Sequence, residues 1–98
     1  MITPEHIQTF ARYNQWQNQS IYAAAETLNE EERLKDRGAF FKSIVGTLNH
    51  LLWADRIWLS RFDLCLPPTQ NSIPTSVAET PSWEELHRGR LEMDEVFL

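Results

Sequence analysis

Apolar residues recur every three or four positions through the first third of the chain. Ile7, Phe10, Ile21, Ala24 and Leu28 share one helical face with Asn14 and Gln17. This spacing predicts a helix over about 4–28. Thr3 is a good N-cap, Pro4 suits the first helical position, and Glu5 complements the dipole of the first turn. Asn14 and Gln17 need partners if that face is buried. They either set register against a neighbouring helix or line a pocket.

Asn29 followed by Glu32 resembles a capping box and predicts one short turn. Gly38 breaks the pattern. A second long helix is expected from about Ala39 to Phe62, ended by Pro67-Pro68. The Pro-, Thr-, Ser- and Asn-rich stretch 63–80 reads as a crossover loop. Ser82-Trp83-Glu84-Glu85 is a second capping box, and Trp83, Leu86, Arg90, Met93 and Phe97 keep helical spacing over about 82–97. The chain stops on Val96-Phe97-Leu98 with that pattern still running. We expect either a partner packed on these residues or a longer parent chain. No strand pattern and no internal repeat is present.

On a helical wheel the second helix has two apolar sides. Phe41, Ile44, Val45, Leu48, Leu51, Leu52, Trp58, Leu59 and Phe62 form a broad face. His50 lies roughly opposite Leu48, on a strip with Gly46, Trp53 and Ile57. One side is expected to face the chain's own bundle and the other a second copy. Gly46 costs about 1 kcal/mol of helix stability against alanine. Its expected purpose is close approach of another helix or a ligand. Asp55 falls within the broad face and must pair or bind a cation. Arg56 points elsewhere, so the partner should come from another helix, unless Asp55 is a functional carboxylate.

His50 itself has three readings: a core residue with a hydrogen-bond partner, a surface residue, or a metal ligand. Its neighbours one turn away, Gly46, Thr47, Trp53 and Ala54, include no strong ligand, and HxxxH, HxxH and HExxH are all missing. His6 and His87 sit near the starts of other helices. Phosphate loops, nucleophile elbows and zinc-finger spacings are also missing.

Composition narrows the classes. At 98 residues and 42% apolar, the chain is expected to form a single helical domain over 1–98. A net charge of −5 argues against nucleic acid. The one basic cluster, Arg33, Lys35 and Arg37, follows Glu30, Glu31 and Glu32 and reads as a solvated face. The single cysteine, Cys65, allows no intrachain disulfide and reads as a packing residue. Neither a signal peptide nor a membrane span is evident, so a cytoplasmic protein is expected.

Three stretches together, ARYNQWQNQSIYAAAETL, DRGAFFKSIVGTLNHLLWADRIWLSRF and SWEELHRGR, resemble the DinB family. The likeness runs from about Ile7 to Glu92 and is most specific over Asp36 to Phe62. It implies an all-α, up-down-down-up four-helix bundle, here lacking its last helix, and a homodimer. It also implies a divalent metal, nickel or zinc, held by three histidines. His50 matches the ligand of the second helix. The other two ligands belong to an HxxxH segment near the last helix, with no counterpart among these residues, so the site is expected to be incomplete. The reaction class implied is a metal-dependent thiol S-transferase or hydrolase acting on a small molecule. The alternative is a non-catalytic helical dimerisation or small-molecule-binding module.

Overall fold

A computed structural model describes residues 3–97, without the side chain of Phe97. The expectation that something packs on Phe97 and Leu98 lies outside the described residues. Four α-helices follow in order: α1 (Pro4–Glu26), α2 (Glu30–Leu34), α3 (Ile44–Ser60) and α4 (Trp83–Phe97). A 3-10 turn, Ser76–Ala78, sits in the loop between α3 and α4. The described residues contain no strand, only an isolated bridge between Ala39 and Lys42.

Local signals place most helix ends. The Thr3 hydroxyl accepts the His6 N–H at 3.2 Å and starts α1. The Asn29 side chain accepts the Glu32 N–H at 2.9 Å and starts α2. At α4, Ser82 accepts the Glu85 N–H at 3.2 Å, but the Glu85 carboxylate turns to Arg88 and does not complete a reciprocal box.

The second long helix is shorter at both ends than the spacing predicts. Gly38 (φ +77°) and Lys42 (φ +70°) are both left-handed, and between them the chain makes a tight turn closed by Lys42 N–H to the Ala39 carbonyl at 2.9 Å. Helix α3 therefore begins after Ser43, whose hydroxyl caps the Gly46 N–H at 2.8 Å. It ends in a Schellman pattern. Asp63 takes the left-handed position (φ +58°), and the N–H groups of Leu64 and Asp63 return to the carbonyls of Leu59 and Ser60. Pro67-Pro68 lie beyond a stop already made.

Helix α4 packs on both α1 and α3. The core consists of Tyr22 and Ala25 from α1, Leu48, Leu52 and Leu59 from α3, and Trp83, Leu86 and Met93 from α4, with Cys65 packed against it. The expected inner face of α1 is corrected. Ala11, Tyr22 and Ala25 are buried, with Asn18 half-buried between them, whereas Ile7, Phe10 and Ile21 stay exposed. The buried row lies about a quarter-turn from the predicted one. Alanines let α4 approach closely, and Tyr22 stacks on Trp83 with centroids 5.4 Å apart.

Of the acidic-basic run, Glu30, Glu31, Lys35 and Arg37 are exposed as expected, and Arg33 is the departure. Arg33 is half-buried, donates to the Ala25 carbonyl at 3.2 Å and lies over the Trp83 ring at 4.7 Å. It tethers α2 to the end of α1. No described helix is long and apolar enough to cross a membrane.

Candidate functional site

Three faces of α3 meet three different surroundings. Leu48, Leu52 and Leu59 face the helices and are buried. Leu51, Trp58 and Phe62, expected on the same broad face, are 48%, 60% and 66% exposed. Helix α4 covers only one half of that stripe. The opposite strip, with Gly46, Asn49, His50 and Trp53, lies under the crossover loop. The chain's own loop thus covers this second apolar side.

The loop is pinned by side chains spaced along that strip. Asn49, almost fully buried, donates to the Val77 carbonyl at 3.1 Å and accepts from the N–H (3.0 Å) and hydroxyl (2.6 Å) of Thr80. Trp53 donates its indole N–H to the Gln70 carbonyl at 2.9 Å. Arg56 reaches the buried Glu79 carboxylate at 2.7 Å. Glu79 also accepts the backbone N–H groups of Thr69 and Gln70, both at 3.0 Å. A buried carboxylate is tolerable when its lone pairs are filled in this way.

His50 is half-buried within this lattice. Its Nδ1 lies 2.9 Å from the hydroxyl of Ser76, which is fully buried in the 3-10 turn. The Phe41 ring stacks on the imidazole at 3.9 Å, and Trp53 tilts against it at 5.6 Å. A Ser–His contact raises the question of a nucleophile and its base. The geometry argues against one, because Ser76 is sealed from solvent and its hydroxyl donates to the Ile73 carbonyl at 2.5 Å. The histidine is the chemically open member of the pair. Its Nε2 makes no hydrogen bond to the described residues.

The close approach at Gly46 comes from the chain's own turn and not from another helix. A Cβ there would stand 2.3 Å from the Phe41 carbonyl oxygen, so the glycine admits the chain's own turn. Between that turn and the loop lies a cavity of about 590 Å³. Phe41, Val45, Gly46, Ile73 and Val77 line it, and Phe41 is the wall it shares with His50. Its size falls within the range of small-molecule sites.

The remaining candidates lie elsewhere. Asp55 does pair across helices, with Arg90 of α4 at 2.6 Å. Arg90 also binds Asp94 at 3.0 Å, and Asp94 accepts from Asn18 of α1 at 2.9 Å. Burial pushes the Asp94 carboxyl above the ordinary carboxylate range, with Arg90 opposing that shift. Burial likewise pushes the Tyr22 phenol up. Asn18 is the amide of the α1 seam. Asn14 is half-buried beside it, and Gln17 is exposed and donates to the Tyr13 hydroxyl at 3.2 Å. His6 is exposed, and His87 stacks on Tyr22 at 5.2 Å. Among the described residues, no three of His, Cys, Asp and Glu are gathered so as to hold a metal ion. Asn49, Ser76, Glu79 and Asp94 were not singled out from the sequence. The only signal was that Asn49 interrupts an apolar run.

A sequence model described as the DinB family matches residues 1–98, the whole chain. No curated protein and no solved structure gives a significant match.

Proposed function

This chain belongs to the DinB family, and from that premise we propose a metal-dependent enzyme of the thiol S-transferase or hydrolase type, with His50 as one metal ligand. The observation that carries this reading is the environment of His50. One nitrogen is anchored to Ser76, both ring neighbours are aromatic, and Nε2 has no hydrogen-bond partner among the described residues. Anchoring of one imidazole nitrogen is the usual support of a ligand histidine.

The residues suit a metal in kind and fall short in number. The described residues supply one such imidazole and no cluster of three ligands, so a closed site needs ligands from beyond them. When bound, a nickel or zinc ion with an open position supplies Lewis-acid activation of a thiol or a water. The chain's own residues orient the imidazole and, through the cavity beside Phe41, offer room for a small substrate.

In this reading α1, α3 and α4 are three places of an up-down-down-up bundle. The row Leu51, Trp58 and Phe62 marks the side where a fourth helix or a second copy packs. Exposed Phe10 and Trp16 on α1 favour a homodimer. A monomer by sedimentation at micromolar concentration overturns the homodimer.

The alternative, a non-catalytic small-molecule-binding or dimerisation module, is favoured by the lone ligand and the apolar cavity. Metal analysis after equilibration with zinc and nickel separates the two. Stoichiometric metal that is lost in His50→Ala supports the enzyme. Equal absence of metal in both proteins overturns it and leaves the module.

A further inference from the structure

Ser76 decides the chemistry of the His50 nitrogen it does not touch. A serine hydroxyl has one proton and two lone pairs. The Ile73 carbonyl, 2.5 Å from Ser76 Oγ, can only accept, so the proton points there. Toward His50 Nδ1, at 2.9 Å, the same oxygen has only lone pairs to offer. Nδ1 must therefore carry a hydrogen. We propose that Ser76 is a positioning residue that holds neutral His50 as the Nδ1–H tautomer, making Nε2 the lone-pair nitrogen. An unconstrained neutral histidine favours the opposite tautomer.

The surroundings resist the motions that would undo this. Ser76 is fully buried, and its N–H returns to the Ile73 carbonyl at 3.2 Å. Asn49, the residue before His50, grips the next residue of the turn through the Val77 carbonyl. Phe41 stacks on the ring and hinders the rotation that would exchange its two nitrogens. Adjacent residues of α3 thus hold the turn and are held by it. The crossover loop, which contributes no metal-binding cluster, sets which nitrogen of His50 can bind a metal or accept a proton.

The inference rests on hydrogen bonding and not on the metal reading, so the two can fail separately. The test is a long-range ¹H–¹⁵N correlation spectrum of metal-free, ¹⁵N-labelled protein, recorded where histidines are neutral. The His50 signals are assigned by their loss in His50→Gln, with exposed His6 as internal reference. The expected result is a protonated Nδ1 and a bare Nε2 for His50. Ser76→Ala should move the signals toward the Nε2–H form with helix content retained, whereas Ser76→Thr, which keeps the hydroxyl, should hold the native pattern. An Nε2–H tautomer in the native protein overturns the proposal, and this spectrum decides the point even if Ser76→Ala does not fold. An unchanged Nδ1–H signal in folded Ser76→Ala also overturns it. Zinc titration adds a second reading: association should weaken about 10-fold in Ser76→Ala. Equal zinc affinity in the two proteins counts against the positioning role. No zinc binding by native protein overturns the metal reading and leaves the tautomer to the spectrum.

Discussion

The two sides of α3 solve burial in opposite ways. Toward the crossover loop, Asn49, His50, Trp53 and Arg56 each hold a specific polar partner. Toward the far edge, Leu51 and Trp58 stand exposed on either side of Asp55. The network running from Asp55 through Arg90 to Asp94 leaves one oxygen of Asp94 buried and without a partner among the described residues, as is the Tyr22 hydroxyl. A loop has no backbone ladder of its own, so side chains must satisfy its buried groups one by one. A helix face satisfies its backbone internally and needs only apolar cover. The loop side therefore closes within the chain, and the far edge leaves Leu51 and Trp58 exposed.

The sharpest way to break this contrast is to remove Glu79. Glu79→Ala leaves Arg56 and the N–H groups of Thr69 and Gln70 without their acceptor, and should cost about 3–5 kcal/mol, read as a loss of thermal stability. A cost below 1 kcal/mol would mean that the loop is held by something other than its polar pins. Next, Leu52→Ala removes a fully buried side chain where α3 meets α4 and should cost about 2–5 kcal/mol in denaturant unfolding.

Asp94 gives a smaller effect with a definite sign. Its folded carboxyl titrates above the unfolded one, so the folded state holds the proton more tightly in the interval between them. Stability contributed by the protonated form is full below about pH 4 and is lost as pH rises through the raised folded value. Denaturant unfolding across this range should show that decline in the native chain and a flatter profile in Asp94→Asn. An identical slope in both proteins would remove Asp94 as its source. Trp58→Ser, on the open side, should change the unfolding free energy of the isolated chain by no more than about 0.5 kcal/mol. A larger loss that grows with protein concentration would show that a second copy covers this face.

Parts of the molecule were legible because their causes lie within a few residues. Thr3, Asn29 and Ser82 cap the helices they were expected to cap, and Gly38 breaks the chain where a glycine should. Asp55 had to find a cation on another helix, and Arg90 supplies it. The first face of α1 was misread because Ile7, Phe10 and Ile21 advertise burial more loudly than Ala11 and Ala25. Close approach by α4 selects the small residues instead. The start of α3 was misread because Ser43 caps it without an acidic residue three positions on.

For His50, the sequence by itself determined only its place on a strip with Gly46 and Trp53, away from Leu48, because helical phase depends on spacing alone. What lies on that strip was decided by tertiary structure. Ser76, Val77 and Glu79 come from a loop more than twenty residues away, and no periodicity encodes where such a loop folds back. Capping and phase arise from contacts three or four residues apart and can be read along the chain. The partner of a buried polar group depends on which distant segment brings its hydrogen bonds to the same place.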